Sequence, residues 1–210
     1  MSLVLAALLG YLLGAIPIGL IVGRLTKGID LREYGSHRTG ATNALRTLGL
    51  PAAALVFLLD VGKGVAAVLL ARLFFVDDPL VGWAAAVAGV TAIVGHNWSA
   101  FIRFTGGRGV ATSAGGLGAM SPWTIVILAP IVIGMIWRTR YVSLGSITGG
   151  LLAPVVTAVL WSLGAATVPA IAYAAVSGLL VTAAHADNIA RLRAGTERKI
   201  GHKEGVTGNG

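Results

Sequence analysis

Three short polar stretches hold the residues of this chain that could do chemistry: GSHRTGATNALR (35–46), GHNWSAFIRFTGGRGVAT (95–112) and HADNIARLRAGTERKI (185–200). They combine Arg, Asn and three of the four His with runs of Gly beside Ser and Thr. Arginine offers a planar fork of donors to phosphate or carboxylate. Glycine lets backbone N–H groups come close to a ligand. The shared chemistry is anion binding, with phosphate the best fit to so many donors.

In the first stretch Ser36, Thr42 and Asn43 are short donors and Arg46 is the fork. Gly40-Ala41-Thr42-Asn43 before an apolar run also reads as a helix start, whose unpaired N–H groups favour an anion. The plainer alternative is a Thr42 or Asn43 cap with Arg46 setting topology. In the second, Gly106-Gly107-Arg108-Gly109 suits a nest of converging N–H groups facing a cation, or else a tight interfacial turn with one snorkelling Arg. The Gly-x-x-x-x-Gly-Lys spacing of a Walker loop is missing. His96 is an ionisable group at the end of an apolar segment, placed either for function or to bond a backbone carbonyl. In the third, helical spacing puts His185, Asn188 and Arg191 on one face, and Glu197 has arginines to pair with. An amphipathic helix lying along lipid headgroups is the alternative.

The elements that must position these groups are apolar. Of 210 residues 56% are hydrophobic and 11% are charged, against about 25% charged in soluble domains. Apolar segments at about 3–23, 47–75, 80–102, 109–120, 122–137, 143–161 and 167–185 predict an all-α polytopic bundle of seven transmembrane helices. A turn at Met120-Ser121-Pro122 separates the fourth from the fifth. The first segment lacks a basic leader and is too long for a signal sequence, so it reads as a retained anchor. With the N-terminus outside and the C-terminus cytoplasmic, fourteen of the sixteen Lys and Arg fall in cytoplasmic loops, as the positive-inside rule requires. All three polar stretches then share the cytoplasmic face. Residues 1–200 form one integral membrane domain, and 201–210 read as a disordered tail.

Other classes are excluded or weakened. With no cysteine there is no disulfide, no thiolate metal site and no Cys nucleophile. No His/Asp/Glu spacing suits a metal, and the +8 net charge forms no nucleic-acid stripe. Asp60 and Lys63, three apart in the second segment, read as a neutralising structural pair. A small organophosphate or anion transporter is the rival function, although it needs polar groups across the whole bilayer.

The three stretches resemble the motifs of bacterial acyl-phosphate-dependent glycerol-3-phosphate acyltransferases. The first motif, Gly-Ser-Gly-Asn-x-Gly-Ala-Thr-Asn-x-x-Arg, is matched by Gly35-Ser36, Gly40 to Asn43 and Arg46. The second is matched by Gly95-His96, Phe101, Phe104 and Gly106 to Thr112, and the third by His185, Asn188-Ile189, Arg191-Leu192, Gly195 and Glu197. His37-Arg38 replaces the usual Gly-Asn, and Arg108 the usual Lys. The resemblance implies acyl transfer from acyl phosphate to the 1-hydroxyl of sn-glycerol 3-phosphate, giving lysophosphatidic acid and phosphate, the first step of phospholipid biosynthesis. By the same likeness Ser36, Arg46, Arg108, His185 and Asn188 hold substrate phosphates. The likeness implies Ser36, Arg46, His185 and Asn188 as catalytic residues, Thr42, Asn43, Gly106, Gly107 and Gly109 as substrate phosphate-binding together with Arg108, and His96 and Glu197 as supporting. Membrane lipids surround the enzyme, no cofactor or nucleic acid takes part, and a phosphate acyltransferase supplies the acyl phosphate. The setting so implied is the bacterial cell membrane.

Overall fold

Proline decides where the first apolar segment bends. Helix α1 (Ser2–Ala15) stops at Ile16 because Pro17 has no N–H to continue the ladder, and α2 (Ile18–Lys27) restarts beyond it. Carbonyls at the break find side-chain donors elsewhere. Ser99 Oγ donates to Ala15 O at 2.5 Å, and Lys63 Nζ donates to Ile16 O at 3.1 Å.

The computed structural model describes residues 1–201. After α2 come a 3-10 turn (Leu31–Glu33), α3 (Ala41–Thr47), α4 (Leu50–Phe74) and α5 (Val81–Asn97). A second 3-10 turn (Ala100–Ile102) leads to α6 (Val110–Met120), α7 (Pro122–Thr139), α8 (Val142–Ser162), α9 (Val168–Ala184) and α10 (Ala186–Arg193). Among the described residues the one β feature is an isolated bridge between Ser99 and Thr105. The tail expected at 201–210 lies, from residue 202 on, outside the described residues.

Each of the seven apolar segments lies on helix, with two corrections. The first is two helices, broken at Ile16-Pro17. The third stays α-helical only to Asn97, where the chain enters the turn that carries Phe101 and Phe104. The break before Pro122 is as expected, since α6 and α7 meet at an extended Ser121 (φ −150°). By length and apolarity Ser2–Lys27, Leu50–Phe74, Pro122–Thr139 and Val142–Ser162 can each cross a membrane. A fifth crossing is available if α9 and α10, bent by 60°, act as one span. Helix α5 is apolar but shorter. The eleven residues of α6 extend about 16 Å, half of the roughly 30 Å hydrocarbon core.

Small residues bring the helices together. A Cβ at Gly10 or Gly14 of α1 would strike the backbone of Ala88 or Ala92 on α5. Gly64 of α4 and Gly115 of α6 meet the backbones of Thr112 and Val61 in the same way, as Gly178 of α9 meets Gly150 of α8. Lipid provides no hydrophobic drive between helices, so close backbone approach and dispersion must supply the association. Tyr173, fully buried on α9, donates from its hydroxyl to Ser113 O of α6 at 3.0 Å. At one end of this bundle the polar loops touch: Thr39 N donates to Gly106 O, and Ile200 N donates to Arg140 O at 2.8 Å.

Candidate active site

Asn43 organises the first polar loop. Its Nδ2 donates to the carbonyls of Leu31 (3.0 Å), Tyr34 (3.0 Å) and Arg38 (2.8 Å), while its Oδ1 accepts from Ser36 N at 2.9 Å. The side chain is buried and its bonds all go to its own chain. Helix α3 is capped by Gly40 without a side-chain bond, so neither Thr42 nor Asn43 is the cap. Thr42 lies half-buried in the first turn of α3, and Arg46 stands exposed in its last turn. Gly35 takes φ +60°, and a Cβ there would collide with Asn43 Oδ1. His37 also takes a left-handed φ of 56°, at the position where the motif usually has Gly. Its Nδ1 donates to Arg32 O at 2.8 Å, which helps to hold a conformation costly for a residue with a Cβ.

The second loop folds back on the end of α5. Gly107 N donates to His96 O at 3.0 Å. A Cβ at Gly106 would meet the His96 and Asn97 carbonyls, and one at Gly107 would meet His96 Nε2. Gly109 has φ +74° beside Ile93 and Asn97. His96 is itself positioned from α4. Its Nδ1 lies 3.4 Å from Asp60 Oδ1, and Lys63 Nζ lies 2.9 Å from the same oxygen. The expected Asp60–Lys63 pair is therefore present, with His96 as a third member that helical spacing could not reveal.

In the third segment His185 occupies the break between α9 and α10. Its Nδ1 donates to Val181 O at 2.7 Å. The carbonyl can only accept, so the neutral imidazole keeps its lone pair on Nε2. Glu197 ties α10 to α8. Oε1 accepts from Ser143 Oγ (2.7 Å) and Asn188 Nδ2 (2.6 Å), and Oε2 accepts from Arg191 Nε (2.8 Å). Burial alone would raise its carboxyl, but the Ser143, Asn188 and Arg191 hydrogen bonds hold it below the usual range. Asn188 Oδ1 stays buried without a partner.

The segments meet around a cleft of about 290 Å³ lined by Arg38, Asn97, Trp98, Gly107, Asp187 and the Ala183–Ala184 and Ala186 backbone region. Arg108 Nη2 reaches Asp187 Oδ2 at 2.8 Å, and Arg191 Nη2 lies 3.3 Å from the same oxygen. Burial would raise the Asp187 carboxyl, yet the two guanidinium groups bring it below its ordinary value. Arg108, Asp187 and Glu197 all act electrostatically on His185. The cleft thus unites Arg38, Asn97 and Gly107 with Ala186 and Asp187 at the start of α10, which Arg108 reaches through Asp187. His185 and Asn188 flank these two in sequence and are not themselves in the lining. Ser36 shares its loop with Arg38, while Arg46 is further along α3. Asn97, Asp187 and Ser143 were given no role from sequence. Asn97, a buried amide directly after His96, could have been found as a polar residue at the end of an apolar helix.

A helical bundle with apolar spans and a polar cleft at one end, lined by Arg38 and Asp187 with Arg108 beside it, defines an integral membrane protein. The model of the glycerol-3-phosphate acyltransferase family matches residues 4–195. The chain is 41% identical over 203 residues to the glycerol-3-phosphate acyltransferase of Thermoanaerobacter sp. (strain X514), covering 97% of this chain and 98% of that one. It is 44% identical over 200 residues to a glycerol-3-phosphate acyltransferase of Thermus thermophilus, covering 93% and 94%. It also resembles the crystal structure of PlsY, an integral membrane glycerol 3-phosphate acyltransferase, in its glycerol 3-phosphate form, with TM-score 0.84, 37% identity and 96% of each chain covered. The lysophosphatidic acid form of PlsY gives TM-score 0.83 at 36% identity. This chain belongs to the glycerol-3-phosphate acyltransferase family.

Proposed function

We propose that this chain transfers an acyl group from acyl phosphate to the 1-hydroxyl of sn-glycerol 3-phosphate, releasing phosphate and forming lysophosphatidic acid. The observation that carries the reading is the cleft in which Arg38, Gly107 and Asp187, one from each polar segment, come together beside Arg108. Both substrates are phosphates, which accounts for a surplus of guanidinium groups. PlsY structures in glycerol 3-phosphate and lysophosphatidic acid forms support the same substrate and product here.

Acyl phosphate already contains a good leaving group, so the glycerol hydroxyl attacks the acyl carbon directly. The new C–O ester bond forms as the acyl C–O bond to phosphate breaks. Arg108 and backbone N–H groups of the glycine loop offset the developing charge, and the cleft supplies proximity. Two proton acceptors are chemically available: Nε2 of His185 and a phosphate oxygen of the substrate. Ser36, Arg46 and Asn188 complete the phosphate contacts. Asn43 and Glu197 act through the loops they hold, and His96 through the glycine turn. No cofactor enters the chemistry.

In this reading residues 1–200 are one domain in the bacterial cell membrane, with seven crossings, the N-terminus outside and the cleft on the cytoplasmic face. The link between Arg140 and Ile200 supports it, since it puts the 138–140 loop beside the third segment. A phosphate acyltransferase would supply the donor. The test is to incubate purified protein with acyl phosphate and glycerol 3-phosphate and to measure lysophosphatidic acid and inorganic phosphate. Equimolar products are expected. Uptake of glycerol 3-phosphate into liposomes without acylation would favour a transporter, and an acyl group trapped on Ser36 would overturn direct transfer.

A further inference from the structure

Two groups in the cleft are not accounted for by the three motifs. Arg38 stands where the family pattern has Asn, and Asn97 occupies a position that the second motif leaves open. Both line the cleft with Gly107 and Asp187. The backbone that presents Arg38 is fixed on both sides. Its own carbonyl accepts from Asn43 Nδ2, and His37 is held by its bond to Arg32 O. Asn97 ends α5 with 2% exposure, and neither its Oδ1 nor its Nδ2 has a hydrogen-bond partner. Buried amides are almost always paired, so one with both ends open marks a place where a ligand completes the bonding.

The charge balance points the same way. Arg108 and Arg191 share Asp187, and Arg191 also pairs with Glu197, while Arg38 acts on Arg108 as a like charge. Three guanidinium groups thus stand against two carboxylates, and an anion would balance the remaining positive charge. The amide of Asn97 carries both a donor and an acceptor, which matches a hydroxyl. At about 290 Å³ the cleft lies near the lower limit of ligand pockets, sized for a short polar molecule rather than a long acyl chain.

We propose that Arg38 and Asn97 are substrate-binding residues that take two different groups of sn-glycerol 3-phosphate, Arg38 the phosphate and Asn97 the 2-hydroxyl on the central carbon. This rests on the acyltransferase reading above. Arg38 gives this chain a cation that the usual Asn does not provide, and Asn97 distinguishes the glycerol backbone from simpler alcohols.

The experiment measures lysophosphatidic acid formation, or formation of its deoxy analogue, by purified full-length protein. Acyl phosphate is the donor, and the acceptor is sn-glycerol 3-phosphate or 3-hydroxypropyl phosphate, which keeps the attacking hydroxyl and lacks the second. Arg38→Asn, which restores the family's usual residue, is expected to raise KM for glycerol 3-phosphate about tenfold while KM for acyl phosphate stays within about twofold. Arg38→Lys should recover much of that loss. Asn97→Ala and Asn97→Ser should erase the wild-type preference for glycerol 3-phosphate over the deoxy acceptor. A KM and a ratio of kcat/KM values do not depend on the fraction of protein folded, so weakly stable variants still report. An unchanged KM in Arg38→Asn, or equal slowing of both acceptors in the Asn97 variants, would overturn the proposal. A wild-type protein that acylates neither acceptor would instead overturn the acyltransferase reading, and this inference with it.

Discussion

Asn43 shows how a residue picked out for one chemistry can serve another. Sequence marks it as a short donor near an anion site, yet its amide is spent on three carbonyls and one N–H of its own loop. Replacing it with Ala would take the partner from Arg38 O and Ser36 N, while Leu31 O keeps Tyr34 N and Tyr34 O keeps His37 N, so Asn43→Ala should lose about 1–3 kcal/mol of stability. Denaturation of the purified protein in detergent checks this. Glu197 makes a pH-dependent tie. Its folded pKa is depressed, so its contribution is present above the unfolded value, near pH 4.3, and is lost as pH falls through the lower folded value. Glu197→Gln should be less stable than wild type at pH 7, and the gap between their melting temperatures should narrow below about pH 4. At this scale residue types were readable, because Arg, Asn and Gly have narrow uses. Partners close in sequence were readable too, as Glu197 with Arg191 and Asp60 with Lys63 show, but distant ones were not, since Ser143 lies 54 positions from Glu197.

Elements bring these partners together, and glycine controls how closely. Gly106 packs onto backbone carbonyls at the end of α5, whereas Gly107 packs onto the tip of the His96 ring. A side chain can swing aside and a carbonyl cannot. Gly106→Ala should therefore cost about 1–3 kcal/mol more than Gly107→Ala, while Gly107→Ala should mainly raise KM for glycerol 3-phosphate as His96 is pushed aside. Thermal unfolding and steady-state kinetics on the two variants separate the effects. The apolar segments were legible because a bilayer demands long apolar helices. The break at Pro17 was not, because proline is tolerated within membrane helices. What completes that break, Ser99 and Lys63 on other elements, is tertiary information. Lys63→Met would leave the buried Asp60 without its ammonium partner, with the His96 ring alone beside it, and a loss of about 3–5 kcal/mol is expected, measured by the same unfolding assay.

For the whole molecule, charge distribution was the readable signal. The basic residues predicted which loops share a face, and the contacts from Thr39 to Gly106, Arg108 to Asp187 and Ile200 to Arg140 join those loops. The volume and lining of the cleft depend on helix packing and could not be read in advance. Substrate access from one face separates an acyltransferase from a transporter, which needs access from both. Because the chain has no native cysteine, a single His37→Cys substitution can report orientation in sealed liposomes that carry acyl phosphate in the bilayer. Membrane-impermeant glycerol 3-phosphate is then supplied to one face at a time, and lysophosphatidic acid is measured. Product should form only when glycerol 3-phosphate is on the face where position 37 is labelled. Product formed from the opposite face, or glycerol 3-phosphate carried inside without acylation, would contradict a single acyl-transfer site on the face that carries position 37.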